Sequence, residues 1–224
     1  MFNNFIQILQ ERLQGELPGA LAQNKMSPSK RPTFGTFPKQ TTTRESSVLI
    51  LLYIKNNEFY VPFIQRPKYN GAHSAQVSLP GGKFEPQDKN LMDTALRETW
   101  EEIGVKPDKI QIVGNLTPIY IPNSNYNVTP YVAYLAECPT FTPDAFEVDY
   151  IIEASLSQLI APETIQSFVK NINGHIIEAP FFNIDNCEIW GATAMIISEL
   201  KELINNLELI PSDSCNAQND PISR

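Results

Sequence analysis

The stretch from Leu91 to Ile103, closed by Gly104 and followed by Pro107, constrains this chain more tightly than any other. Its periodicity predicts a helix with a marked stop, since glycine readily takes the left-handed conformation that ends a helix and proline cannot extend one. At about 100° per residue, Met92, Leu96, Trp100 and Ile103 fall on one side, and Glu98, Glu101 and Glu102 on the other. The expectation is a helix buried along the first stripe and exposed along the acidic one. An acidic helix face is usually only solvated surface. Here, however, three carboxylates lie near the negative pole of the helix dipole and repel one another, which costs stability unless a cation joins them.

Two neighbouring features strengthen the cation reading. Arg97 stands four residues from Glu101 and next to Glu98, placed to orient a carboxylate while leaving oxygen atoms free. Gly81-Gly82, before the loop leading into the helix, permits unusual backbone angles and close approach of a ligand to the main chain. Oxygen-only donors of this kind suit Mg²⁺ or Mn²⁺, hard ions that also bind phosphate oxygens. The formal net charge is −8, and no Lys/Arg-rich face is visible, so a nucleic-acid partner is not expected. An acidic protein with a small anionic substrate needs such a cationic mediator.

The segment Gly82 to Val105 resembles the Nudix box, whose core Arg-Glu-x-x-Glu-Glu-x-Gly stands here as Arg97-Glu98-x-x-Glu101-Glu102-x-Gly104. With average residue usage, those five fixed positions recur by chance on the order of 10⁻⁶ per site. The family's common spacing puts an acidic residue where this chain has Lys89, and Asp88 sits one position earlier. The gap from Gly82 to Arg97 is thus one residue longer, a variation similar to the coenzyme A pyrophosphatase branch. Arg66, His73, Gln76-Val77 and Pro80-Gly81-Gly82 resemble that branch's upstream signature, with Ala75 and Leu79 where glycine and phenylalanine are typical. The likeness runs weakly on through Thr117-Pro118, Pro130 and Trp190-Gly191-Ala192-Thr193-Ala194, covering roughly residues 45 to 205.

The resemblance implies attack of water on one phosphorus of a substituted diphosphate, assisted by metal. Glu98 and Glu102 are then the metal ligands, with Glu101 a third ligand or the orienting partner of Arg97, and the carbonyl of Gly81 or Gly82 completing the shell. Glu147, before a predicted strand, is the later-loop candidate for general base. Arg66, His73 and Lys83 are candidates for contact with substrate, against plain readings as a salt bridge, a backbone-bonded loop histidine and a solvated lysine. The implied substrate is coenzyme A or acyl-coenzyme A. The alternatives are ADP-ribose, a dinucleotide or a noncanonical nucleotide, or a binding protein that kept the fold without catalysis.

Periodicity alone gives an α+β domain around a mixed sheet; the resemblance makes it an α/β/α sandwich with a catalytic loop-helix and an extra N-terminal helix. Phe2, Phe5, Ile6, Leu9 and Leu13 predict an amphipathic helix over residues 2 to 15, and residues 17 to 47 read as an irregular connector. Ser47–Ile54, Phe59–Gln65, Ile110–Leu116, Tyr126–Leu135 and Val148–Glu153 read as strands, as does a short piece near Gln76–Leu79. A short helix is expected at Ser157–Ile160, a second hairpin at His175–Phe182 with Glu188–Trp190, and a closing helix at Ala192–Leu207. The expected division is 1–46 for N-terminal helix and connector, 47–207 for the Nudix domain, and 208–224 for a polar, frayed tail. Cys138, Cys187 and Cys215 lack metal-ligand spacing and are odd in number, which fits a reducing cytoplasm. No apolar run approaches the roughly 20 residues that span a bilayer, and the N-terminus lacks a basic, apolar signal. A cytoplasmic protein, with a homodimer allowed, is expected.

Overall fold

A computed structural model describes residues 2–29, 43–68, 75–172 and 174–205. The first helix, α1 (Phe2–Gln14), buries Phe5, Leu9 and Leu13. Its close approach needs Gly114, where a Cβ would come 2.8 Å from the Cβ of Leu13. The expected irregular connector instead contains a short helix, α2 (Gly19–Asn24). Such a short helix shows no period in sequence and is held by tertiary contacts: Glu199, fully buried, accepts from Gly19 N at 3.0 Å, Gln23 Nε2 at 2.8 Å and Thr117 N at 3.2 Å. Residues 30–42 of the connector, and the polar tail with Cys215, lie outside the described residues.

Strand β1 (Arg44–Lys55) is the spine of the sheet, beginning three residues before its predicted start. It lies between β2 (Glu58–Gln65), antiparallel to it, and β7 (Tyr126–Leu135), parallel to it, and both of its faces are buried. Leu49, Leu51 and Tyr53 enter one core while Ile50 and Leu52 enter the other. This is why its sequence reads as a continuous apolar run rather than an alternation. The β1–β2 turn is made by Asn56 (φ 50°) and Asn57 (φ 58°), a pair of left-handed residues of the type that matches hairpin twist.

β3 (Val77–Ser78) pairs with β2, and β4 (Gly81–Lys83) adds to β1 in the register Ser47↔Gly82. The helix α3 (Leu91–Ile103) follows, capped by the side chain of Asn90 and ended by Gly104 at φ 76°. Next come β5 (Gln111–Asn115) and β6 (Ile119–Ile121), both antiparallel to β7, and β8 (Tyr150–Ser155), which pairs with β2. The short helix α4 (Leu156–Ile160) begins in a capping box from Ser155. The eight-stranded mixed sheet thus has α3 against one face and α1 with α5 (Gly191–Ile204) against the other, the layered α+β arrangement expected.

A separate three-stranded antiparallel sheet joins β9 (Ile165–Ile172), β10 (His175–Ile184) and β11 (Cys187–Trp190). β10 and β11 form the expected second hairpin. β9 was not legible in sequence because its apolar residues do not alternate: Phe168 packs tilted against Phe181 and edge-on to Trp190, while neighbouring Val169 is 67% exposed. Among the described residues no helix is long and apolar enough to cross a membrane.

Candidate functional site

Helix α3 sits on the sheet in an orientation that reverses one expectation. Its inward face carries Thr94, Ala95, Glu98, Thr99, Glu102 and Ile103, whereas Trp100 is 51% exposed. Glu98 and Glu102 are therefore buried, at 9% and 1% exposure, and the anticipated solvent-facing acidic stripe is corrected. Polar partners make this possible, because a buried carboxylate is tolerated where hydrogen-bond donors or cations meet it. Glu102 accepts from the backbone N–H of Gly81 at 2.8 Å and pairs with Arg66 Nη2 at 3.0 Å. The same guanidinium nitrogen donates to Gly81 O at 3.2 Å, and Arg66 Nε donates to Ser78 at 3.2 Å, tying β2, β3, β4 and α3 together.

The glycines differ in purpose. At Gly81, φ is 150° and a Cβ would lie 2.6 Å from Val48 Cα, inside β1 itself. At Gly82, a Cβ would lie 2.6 Å from Glu98 Oε2 and closer still to its carboxyl carbon. Gly82 is thus the gap in which the Glu98 carboxylate rests.

Arg97 organises the outer half of the site. It binds Asp88 through Nε (2.8 Å) and Nη2 (3.1 Å), Glu98 at 3.0 Å, Glu101 at 2.7 Å and the carbonyl of Lys83 at 3.1 Å. Asp88, one position before the family's common place for an acid, also accepts from Thr94 Oγ1 at 2.9 Å and from Glu85 N at 3.0 Å. The Arg97 hydrogen bond holds its carboxyl down at about 2. Sequence reasoning noted the offset of Asp88 without assigning it a partner; the signal was its position relative to Arg97. Glu101 is exposed and turned to Arg97, away from the cluster that Glu98 and Glu102 enter.

That cluster is completed by Glu147 of the loop before β8. One carboxylate oxygen from each of Glu98, Glu102 and Glu147 lies within 4.8 Å of the others, with Glu147 exposed and the other two buried. An all-oxygen donor set of this span, opened by the missing Cβ of Gly82, fits a hard divalent cation. Lys83 follows Gly82 in β4, so its side chain leaves the opposite face of the strand, and its ammonium pairs with Glu85 at 3.0 Å. His73 lies outside the described residues.

Burial raises the carboxyl of Glu98, opposed by Arg97, and pushes Glu102 up to about 8, opposed by Arg66 and the Gly81 N–H. Between its ordinary 4.5 and about 8, Glu102 keeps in the folded chain a proton that the unfolded chain has lost. The folded state then binds more protons, so stability falls as pH rises through that window. Melting curves in a chelator should show a midpoint that declines across it, and added Mg²⁺ should flatten the decline, because the cation replaces the proton. A midpoint independent of pH, with or without Mg²⁺, would remove this account of Glu102.

Layered sheet, loop-helix and acidic cluster together define an enzyme architecture suited to a divalent cation and an anionic substrate. A model of the NUDIX domain matches residues 43–167. A Yersinia pestis protein named as an uncharacterized Nudix hydrolase NudL is 31% identical over 166 residues, covering 73% of this chain and 81% of that one. The Photorhabdus laumondii protein of the same name is 32% identical over 133 residues, covering 59% of this chain and 71% of its own. Among solved structures, the Nudix hydrolase RenU of M. smegmatis matches with a TM-score of 0.53 at 12% identity, over 75% of this chain and 89% of that one. A MutT/nudix family protein from Enterococcus faecalis matches with a TM-score of 0.51 at 17% identity, over 75% and 64% of the two chains. The last two likenesses bear on fold alone. The chain belongs to the Nudix hydrolase family, whose general reaction is hydrolysis of the pyrophosphate link in nucleotide derivatives.

Proposed function

We propose that this protein hydrolyses coenzyme A or acyl-coenzyme A to adenosine 3′,5′-bisphosphate and the corresponding phosphopantetheine. The observation that carries the reading is the extra residue between Gly82 and Arg97, a spacing similar to that branch, which the Asp88–Arg97 pair accommodates. Arg66 and Pro80-Gly81-Gly82 add to it. Glu98, Glu102 and Glu147 would hold Mg²⁺ or Mn²⁺, with a Gly81 or Gly82 carbonyl as further donor; bound there, such an ion neutralises phosphate oxygens and makes water more acidic.

The chain's own residues supply the remainder. Arg66, 23% exposed at its side chain, keeps Glu102 in place through Nη2 and can offer Nη1 to a phosphate oxygen. Glu147 is the exposed member of the cluster and so the one with access to the proton of an attacking water; it is our candidate base. Arg97 positions Glu98 and Glu101 without itself entering the cluster. Lys83 reaches a phosphate only by leaving Glu85, and His73 is carried by the resemblance alone.

A second reading, cleavage of ADP-ribose, a dinucleotide or a noncanonical nucleotide, is favoured by two departures from the branch signature. Ala75, where glycine is typical, still adopts φ 55°, and Leu79, where phenylalanine is typical, is 1% exposed within the core. Turnover of coenzyme A and ADP-ribose side by side in Mg²⁺ decides between them. Coenzyme A is expected to be cleaved with the higher kcat/KM. Cleavage of ADP-ribose with coenzyme A inert overturns the proposal, and inertness of both points to a binding protein.

A further inference from the structure

The turn that delivers Glu147 carries a second side chain with no structural employment. Asp144 N donates to Glu102 O at the end of α3 (3.0 Å), and Asp149 N donates to Gln65 O at the end of β2 (2.9 Å), so both ends of the turn are fixed. Within it, Asp144 Oδ1 accepts from Phe146 N (2.8 Å) and Glu147 N (3.2 Å), Asp144 O accepts from Val148 N (2.9 Å), and Val148 is buried. The backbone of Phe146 is therefore held in a closed, twice-anchored turn, yet its ring is 90% exposed, more than any other large apolar side chain described. An apolar ring left in water on a fixed backbone buries little surface on folding and keeps an aromatic face open to a stacking partner.

Its neighbour Glu147 reaches the Glu98–Glu102 cluster, so the backbone that bears the ring adjoins the place that would hold the phosphates of a nucleotide derivative. A nucleobase hangs one sugar's length from the phosphate that bears it, and every base has a π-face that stacks on an aromatic ring. We infer that Phe146 is the platform on which the substrate's nucleobase stacks, a specificity-determining contact that sets affinity for the base-bearing half of the substrate. This rests on the nucleotide-derivative reading of the cluster, but not on coenzyme A in particular.

The test uses full-length protein in Mg²⁺ with Phe146→Ala and Phe146→Trp. Calorimetric binding of adenosine 3′,5′-bisphosphate is expected to weaken about tenfold in Phe146→Ala, the effect of losing one base–aromatic stack, and to return in Phe146→Trp. Binding of 4′-phosphopantetheine, which has no base, should differ little among the three proteins. For whichever of coenzyme A or ADP-ribose is cleaved, the loss in Phe146→Ala should fall mainly on KM, with Mg²⁺-dependent stabilisation kept. Unaltered nucleotide binding in Phe146→Ala, or a loss confined to kcat that Trp does not rescue, overturns the inference while leaving hydrolysis standing. Conversely, if neither substrate is cleaved but nucleotide binding still depends on an aromatic residue at 146, only the catalytic reading fails. A parent protein that binds no adenosine nucleotide overturns both.

Discussion

Replacing Glu102 by Gln should lower kcat/KM by about 10³-fold or more while lowering the stability of the metal-free protein at neutral pH by no more than about 3 kcal/mol. The loss follows from the position of the carboxylate, which shares a cluster with Glu98 and Glu147 and whose charge an amide cannot supply to a cation. Stability suffers less, for a different reason. With its carboxyl pushed up to about 8, Glu102 is mostly protonated at neutral pH in the absence of metal, and Gln imitates that neutral form in shape. Gly81 N and Arg66 Nη2 bond different oxygens of Glu102, so the single oxygen of Gln keeps one of them and the other donor loses its acceptor, a cost of about 1–3 kcal/mol. The pH-dependent decline in melting temperature should vanish together with the stabilisation by Mg²⁺. Denaturation in chelator and in Mg²⁺, alongside turnover, checks all of this; a variant that unfolds readily at neutral pH, or keeps parental turnover, refutes it.

A paired substitution at the adjacent glycines should separate folding from function. In Gly81→Ala the new methyl collides with the main chain of Ser47 and Val48, and the residue must hold φ 150°. Backbone of a central strand cannot move aside, so a loss of about 3 kcal/mol or more is expected in urea denaturation. In Gly82→Ala the collision is with the Glu98 carboxylate, the free end of a side chain, which can rotate out of the way. Fold stability should change by about 1 kcal/mol or less, yet Glu98 is expelled from the cluster, so kcat/KM should fall by about 10²-fold or more with weakened Mg²⁺ response. The reverse pattern, an inactive but stable Gly81→Ala or a fully active Gly82→Ala, would show that the two positions have been assigned the wrong tasks.

The sheet was legible because hydrophobic runs and turn residues are local signals. β1 announces itself by unbroken apolar sequence, and Asn56-Asn57 by its tolerance of left-handed backbone. Helix α3 was legible in extent, from Leu91 to Ile103, but not in rotation. Periodicity assumes that charged residues face water, and here hydrogen bonds from Gly81 and Arg66 turn Glu102 inward at the expense of Trp100. Those partners lie 21 and 36 residues away, beyond any periodic pattern within the helix. Helix α2 was missed for a related reason: its retention depends on Glu199, which sequence inspection has no means to pair with Gln23. Glu147 could be named from its loop position, whereas its distance to Glu98 and Glu102 required the turn built on Asp144.

The Glu199 contact bears on how the protein is made. It joins residues separated by 180 positions at Gly19 and 176 at Gln23, while Arg12 reaches Leu203 O across 191. During synthesis, α1 leaves the ribosome with an apolar stripe whose final covering includes residues made as many as 191 positions later. Contacts of such length are slow to form, and until they do the stripe invites association between nascent chains. The N-terminal layer can therefore close only once α5 has been made.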